Sequence, residues 1–175
     1  MRADPVTGLI AVRPAGAADA PAIARIYNQG IEDGQATFET ALREPDDVTS
    51  WIADVERRPL VVAERDGDVV GWARVGRYSY RRFYEGVGEY AVYVERGERG
   101  AGAGRLLLDA LLPEARRRGY YKLVGLLFSD NEATLALARR CGFREVGTHR
   151  RHGRLGGRWR DVVLVERLLD EGDCD

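Results

Sequence analysis

The feature that most limits how this chain can fold is a turn of alternating small residues at positions 99–105, Arg-Gly-Ala-Gly-Ala-Gly-Arg. Ahead of it runs Glu89-Tyr-Ala-Val-Tyr-Val94, which reads as a strand. Behind it Leu106, Leu107, Ala110, Leu111 and Ala115 recur at helical spacing until Gly119. In a strand, turn and helix of this kind, small residues let backbone N–H groups approach an anion, and the helix start adds about half a positive charge. Arg99 and Arg105 are placed to add charge-assisted contacts. Taken alone, the turn fits a pyrophosphate cradle and a plain flexible connection equally well. It is not a P-loop, because Gly104 is followed by Arg105 and Leu106 where Lys and Ser/Thr belong. It is not a dinucleotide fingerprint either, since the glycine spacing is wrong and the element lies past the middle of the chain.

About thirty residues on, Asn131-Glu-Ala-Thr-Leu-Ala-Leu-Ala-Arg-Arg-Cys-Gly-Phe143 opens a second helix just after a strand at 121–128. Asn131 stands at its N-cap, and Gly142 can adopt the left-handed conformation that ends it. An Asn there is most simply only a cap.

The rest of the chain supplies a mixed sheet. Residues 9–13 form a short strand, and 17–29 a helix carrying Ile23, Ile26, Tyr27 and Ile31 at helical spacing, with Gly16 as N-cap. Pro45, Asp46 and Asp47 start another helix whose apolar face holds Trp51, Ile52 and Val55. A hairpin turns at Asp66-Gly67 between residues 59–64 and 69–75. Strands at 143–148 and 159–168 close the chain. Two early helices, a meander, then strand-helix-strand-helix-strand-strand predict an α/β (α+β mixed-sheet) single domain over residues 8–170, with helices on both faces and loose ends at 1–7 and 171–175. Pro113 falls inside the third helix, where an ideal interior costs ~3 kcal/mol, so a kink facing solvent is expected.

Bulk properties exclude several functions. With 27 basic and 28 acidic residues the net charge is −1, so no global field holds the chain on nucleic acid or an anionic membrane. No apolar run approaches a spanning length, and Asp4 and Pro5 interrupt any signal-peptide core. Cys141 and Cys174 are too few for a disulfide framework, which points to a reducing cytoplasm. His149 and His152 are too few for a metal site and read as surface residues. Residues 139–160 carry eight Arg against Glu145 alone, suiting solvated faces and a seat for a 3′-phosphate better than nucleic acid.

The two linked motifs, 99–104 and 131–143, match in order and spacing the signature of the GCN5-related N-acetyltransferases, which the chain resembles over residues 10–169. Within that family it is similar to the phosphinothricin, methionine sulfoximine and arsinothricin acetyltransferases, through Glu89-x-x-Val-Tyr-Val94, the Arg81-x-x-Tyr84 loop and Gly157-Arg-Trp-x-Asp161. The resemblance implies the GNAT acyl-CoA N-acyltransferase fold, acetyl-CoA as co-substrate without a metal, and a homodimer acting on a small-molecule amine. Backbone amides of Val92, Tyr93 and Val94 would meet the acetyl carbonyl and pantetheine; separately, a β-bulge at this point of the strand would leave them unpaired. Arg99, Gly100, Ala101, Gly102, Ala103, Gly104 and Arg105 would hold the pyrophosphate, and Asn131 would touch the pantetheine arm. Ser79, Tyr80 and Arg81, with Glu89, Tyr90 and Ala91, would line the acceptor site. The chain departs from the pattern at Ala138, where the broader family has a Tyr proposed as general acid, and at Ser79, where phosphinothricin enzymes can have Lys.

Acetyl transfer to an amine needs a base, oxyanion donors and a fixed approach. With the resemblance, Glu89 is the general base; without it, Glu89 reads as a strand carboxylate paired with Arg81 or Arg82. Arg74, Arg77, Arg81 and Arg82 with Tyr78, Tyr80 and Tyr84 form a cationic aromatic loop, either solvated or gripping an acidic acceptor, with Arg74, Arg81 and Tyr84 among its binding residues. The expected activity is acetylation of a small amino-acid amine. Acetylation of protein N-termini or other amines, and a non-catalytic acyl-CoA-binding module, are the alternatives.

Overall fold

The computed structural model describes residues 8–169. A seven-stranded sheet runs in the order β1-β2-β3-β4-β5-β7-β6, with β1 Ala11–Pro14, β2 Leu60–Arg65, β3 Asp68–Arg77, β4 Val87–Val94, β5 Lys122–Phe128, β6 Arg144–Leu155 and β7 Arg158–Leu168. Every neighbouring pair is antiparallel except β4 and β5. Four helices flank it: α1 Ala20–Asp33, α2 Pro45–Ala53, α3 Ala103–Arg117 and α4 Glu132–Arg140. The mixed sheet expected from the element order is present.

Helices α1 and α2 cover one face, packing Ile23, Ile26 and Val48 on Leu60, Val62 and Trp72. Helices α3 and α4 cover the other, where Leu107, Leu108, Leu111, Leu135 and Ala138 meet Val61, Val75, Leu123 and Val165. Strand β2 is therefore buried on both sides at Leu60 through Ala63, an unbroken apolar run instead of an alternating one.

Several local readings need adjustment. Gly16 precedes a 3-10 turn at Ala17–Asp19, and α1 itself begins at Ala20 with Pro21 in its first turn. Asp19 receives the Gly16 N–H at 2.7 Å and two Arg13 hydrogen bonds at 2.8 and 2.9 Å. The buried stripe of α3 is Leu107, Leu108, Leu111, Leu112 and Ala115; Leu106 faces outward, because α3 starts at Ala103 and turns it off the core. Pro113 is exposed and α3 continues past it to Arg117, as a proline on the solvent side allows. Strand β6 extends to Leu155, well beyond position 148, with register shifts against β7 between Glu145 and Gly147 and between His149 and Gly153. The expected loose ends at 1–7 and 171–175 lie outside the described residues, as does Cys174. Among the described residues no helix is long and apolar enough to cross a membrane.

Candidate active site

The site begins where β4 and β5 part. Their ladder runs only from Val87↔Lys122 to Glu89↔Val124, although both strands continue to Val94 and Phe128. Past Glu89 the β4 edge that faces β5 therefore has no strand partner, and a backbone edge of this kind is available to a ligand. The pairing of β3 with β4 runs without a shift from Gly71↔Val94 to Arg77↔Gly88. The bulge expected near Val92 is thus absent, and the divergence of two parallel strands frees these amides instead.

A cleft of about 660 Å³ fills the split. Tyr90, Ala91, Val92 and Tyr93 line one side, and Leu126, Leu127 and Phe128 the other, with Asn131 and Thr134 of α4 at the rim. Alternation along β4 separates its side chains. Ala91 and Tyr93 join the α1/α2 face, and Glu89 shares their parity. Tyr90, Val92 and Val94 join the α3/α4 face.

On the α1/α2 face stands an aromatic box. Tyr27 meets Trp51, Trp72 and Tyr93 edge-on at centroid distances of 5.9, 5.7 and 4.9 Å, while Tyr93 stacks on Trp72 at 4.9 Å. Gly30 of α1 admits this arrangement: a Cβ there would lie 2.6 Å from the Tyr93 ring. The Arg74 guanidinium lies over Trp51 at 3.8 Å, and among the described residues it makes no ion pair. Burial pushes Arg74 down to about 10, with Tyr27 and Glu89 opposing the shift and Arg58 adding to it. It stays a cation at neutral pH, and among the described residues no carboxylate forms an ion pair with it.

Glu89 is the cleft's second ionisable group. Register places it opposite Gly76, where a Cβ would come within 3.4 Å of Arg74 Nη2 and 3.5 Å of the Glu89 carbonyl oxygen. Gly76 thus leaves the floor on which Arg74 reaches towards Glu89. Burial raises the Glu89 carboxyl above its ordinary value, and Arg74 partly offsets that. The neighbouring charge is Arg74, whereas sequence reasoning paired Glu89 with Arg81 or Arg82.

Beyond the C-terminal end of β4 lies the glycine turn. Gly100 and Gly102 have φ of 82° and 93°, the left-handed region that favours glycine, and Gly102 caps α3 without a side-chain hydrogen bond. The space around both is open. Gly104 has a different reason: a Cβ there would sit 3.0 Å from Leu137 Cδ2, so it lets α3 approach α4. Arg99 and Arg105, expected at an anion, are paired with Asp33 and Asp109 at 2.7 Å each, and Arg99 also donates to the Val94 carbonyl.

The structure gathers Glu89, Tyr90, Ala91, Val92, Tyr93, Arg74 and Asn131 around the cleft. It does not bring Ser79, Tyr80, Arg81 and Tyr84 there. These residues border a separate surface depression of about 70 Å³ with Arg57, Arg58, Arg77 and Tyr120, and Tyr80 is 90% exposed. Sequence reasoning missed the wall at Ala36, Thr37, Phe38 and Glu39, and it treated Tyr27 and Trp51 only as core. His152, read as a surface residue, is exposed and also reaches the cleft. Asp161 accepts the Arg151 N–H at 2.7 Å, where Arg151 has φ of 50° within the shifted register before Gly153.

Comparison with known proteins decides what this geometry belongs to. The Acetyltransferase (GNAT) family matches residues 24–143, from within α1 to the residue before β6. The chain belongs to the GNAT acetyltransferase family. An L-methionine sulfoximine/L-methionine sulfone acetyltransferase of Pseudomonas aeruginosa is 33% identical over 162 residues, 91% of this chain and 94% of that protein. A phosphinothricin N-acetyltransferase of Alcaligenes faecalis is 35% identical over 158 residues, 89% of this chain and 80% of that protein. A GNAT-superfamily phosphinothricin acetyltransferase from Sinorhizobium meliloti, solved in complex with acetyl-CoA, superposes with a TM-score of 0.88 at 28% identity, covering 95% of this chain and 91% of that one. In this acetyltransferase, then, the β4–β5 split, the start of α3 at Gly102 and a cleft lined by both Glu89 and Arg74 belong to an acyl-transfer fold.

Proposed function

We propose that this acetyltransferase moves the acetyl group of acetyl-CoA directly to the α-amino group of a small amino acid of the methionine sulfoximine or phosphinothricin type. The observation that carries the reading is Glu89 and Arg74 side by side on the α1/α2 face, next to the free edge of β4. The residues present suit the donor: open, positive-φ glycines precede an uncapped helix start, and an unpaired strand edge leads from there into the cleft. An acyl thioester lying along that edge supplies an electrophilic carbonyl and a thiolate leaving group.

Every other role falls to the chain's own groups. Arg74 holds the acceptor carboxylate, a bidentate partner for a guanidinium that has no other. Glu89, its carboxyl raised by burial, takes the proton from the ammonium, directly or through one water, and frees the nitrogen lone pair. Amides of β4 beyond Glu89 donate to the carbonyl oxygen as it gains charge. The amine nitrogen bonds to the carbonyl carbon, the carbon–sulfur bond breaks, and the second proton of that nitrogen passes to water. Ala138, sealed in the α3/α4 core, supplies no proton; an ordinary thiol titrates near ~8.5, so the sulfur departs as thiolate.

The homologues' named substrates support a small amino-acid acceptor. We also take the working form to be a cytoplasmic homodimer with a part in resistance to such amino acids, to be checked by sedimentation. Coenzyme A release with methionine sulfone, phosphinothricin and a peptide amine tests the activity. The reading predicts turnover of an amino acid; turnover of the peptide alone, or of none of the three, overturns it.

A further inference from the structure

The connection between α1 and α2 has no strand or helix of its own, yet residues 36–39 form a wall of the cleft. A segment with no ladder keeps its place only through long-range contacts. Those contacts converge on two residues. Arg160 of β7 donates to the Gly34 carbonyl at 3.2 Å through Nη1 and to Asp130 Oδ1 at 2.7 Å through Nη2, while its guanidinium covers the Phe128 ring at 4.2 Å. Phe38 packs edge-on against the other part of that ring at 4.8 Å. Asn131 donates from Nδ2 to the Gln35 carbonyl at 2.8 Å and accepts the Thr134 N–H on Oδ1 at 3.2 Å.

Gly153 completes the seat, since a Cβ there would lie 2.6 Å from Phe38 Cζ. At the far end, Asn28 holds Arg43 through its N–H and carbonyl at 2.8 and 2.9 Å. The segment is therefore pinned at both ends, and its inner pin is built from residues on β7 and at the start of α4.

We infer that Arg160 and Asn131 are positioning residues that clasp segment 34–39 into place as the acceptor-side wall of the cleft. This rests on the acetyltransferase reading above and assigns Asn131 work on the acceptor side, through the N–H it donates to the Gln35 carbonyl. The clasp lies between the two substrates: α4 starts beside the β4–β5 split, and the wall it holds carries Thr37, Phe38 and Glu39.

Asn131→Asp keeps an excellent helix cap but replaces the donor to Gln35 with a carboxylate oxygen that repels its carbonyl, so it opens the clasp while sparing the start of α4. Arg160→Lys keeps the charge and loses the planar fork that spans Gly34, Asp130 and Phe128. Both variants should raise the acceptor KM about five- to thirtyfold, the range for losing one or two hydrogen bonds. The calorimetric affinity for acetyl-CoA should change less than about twofold in Arg160→Lys, the scatter expected between groups that share no contact. Amide hydrogen exchange should quicken in residues 34–39 and stay unchanged in α3. A fall in acetyl-CoA affinity with acceptor KM unmoved would assign Asn131 to the donor and overturn the inference, as would unchanged exchange in 34–39. If the wild type acetylates no amino acid, the functional reading fails, while exchange still reports on the clasp.

Discussion

The two regions we propose for donor and acceptor are built in opposite ways. The donor end is made of backbone: positive-φ glycines at 100 and 102, the uncapped start of α3 and the free edge of β4 lie within one stretch of chain. The acceptor end is made of side chains from four elements, with Tyr27 on α1, Trp51 on α2, Trp72 and Arg74 on β3, and Glu89 and Tyr93 on β4, closed by the 36–39 connection. In the function proposed above the donor end is general, offering a phosphate groups that every residue has. The acceptor end is specific, and its character depends on which side chains the fold collects.

The largest expected effect lies at the acceptor end. Glu89→Gln removes the base and should lower kcat by about 10²–10⁴-fold, with acetyl-CoA affinity unchanged by calorimetry. Equal losses in both would merge the two ends into one site. Next comes the contrast between arginines. Arg74→Leu should raise acceptor KM about ten- to a hundredfold, as expected for a desolvated charge-assisted hydrogen bond. Arg81→Ala, on the exposed loop, should change it less than about twofold. If Arg81 proves the stronger of the two in steady-state kinetics, the acceptor end has been placed on the wrong surface. The smallest effect belongs to the donor end. Gly102→Ala puts a Cβ at φ 93°, which costs roughly 1–2 kcal/mol and should weaken acetyl-CoA about tenfold in the same calorimetric assay while leaving acceptor KM alone.

That contrast also explains what could be read from the sequence. The backbone of the glycine turn was legible because a glycine turn between strand and helix is a contiguous pattern whose consequence is local, and Asn131 and Gly142 mark α4 in the same way. Mixed-sheet order followed from alternating elements. The parting of β4 from β5 was not legible, since no residue encodes a divergence between strands distant in sequence. Nor was the aromatic box: Tyr27 and Trp51 show only helical spacing, and their meeting with Trp72 depends on α1 and α2 crossing one sheet face. The Arg and Tyr loop at 77–84 borders a separate depression, because its density of binding-type residues is a local signal, whereas cleft lining is a tertiary one. Arg74 stands outside that dense run, and the alternation of β3 turned it inward beside Trp72.

The most direct test of the central claim is the pH dependence of kcat/KM for the amino-acid acceptor. Glu89 has to be ionised to accept the proton, and burial raises its carboxyl, so activity should fall as pH drops, with a midpoint above the ordinary glutamate value of ~4.3. Arg74 holds that carboxyl down, so Arg74→Leu should move the midpoint to higher pH. An acid limb of the same midpoint in both proteins, or one that persists in Glu89→Gln, would contradict the assignment of Glu89 as the base.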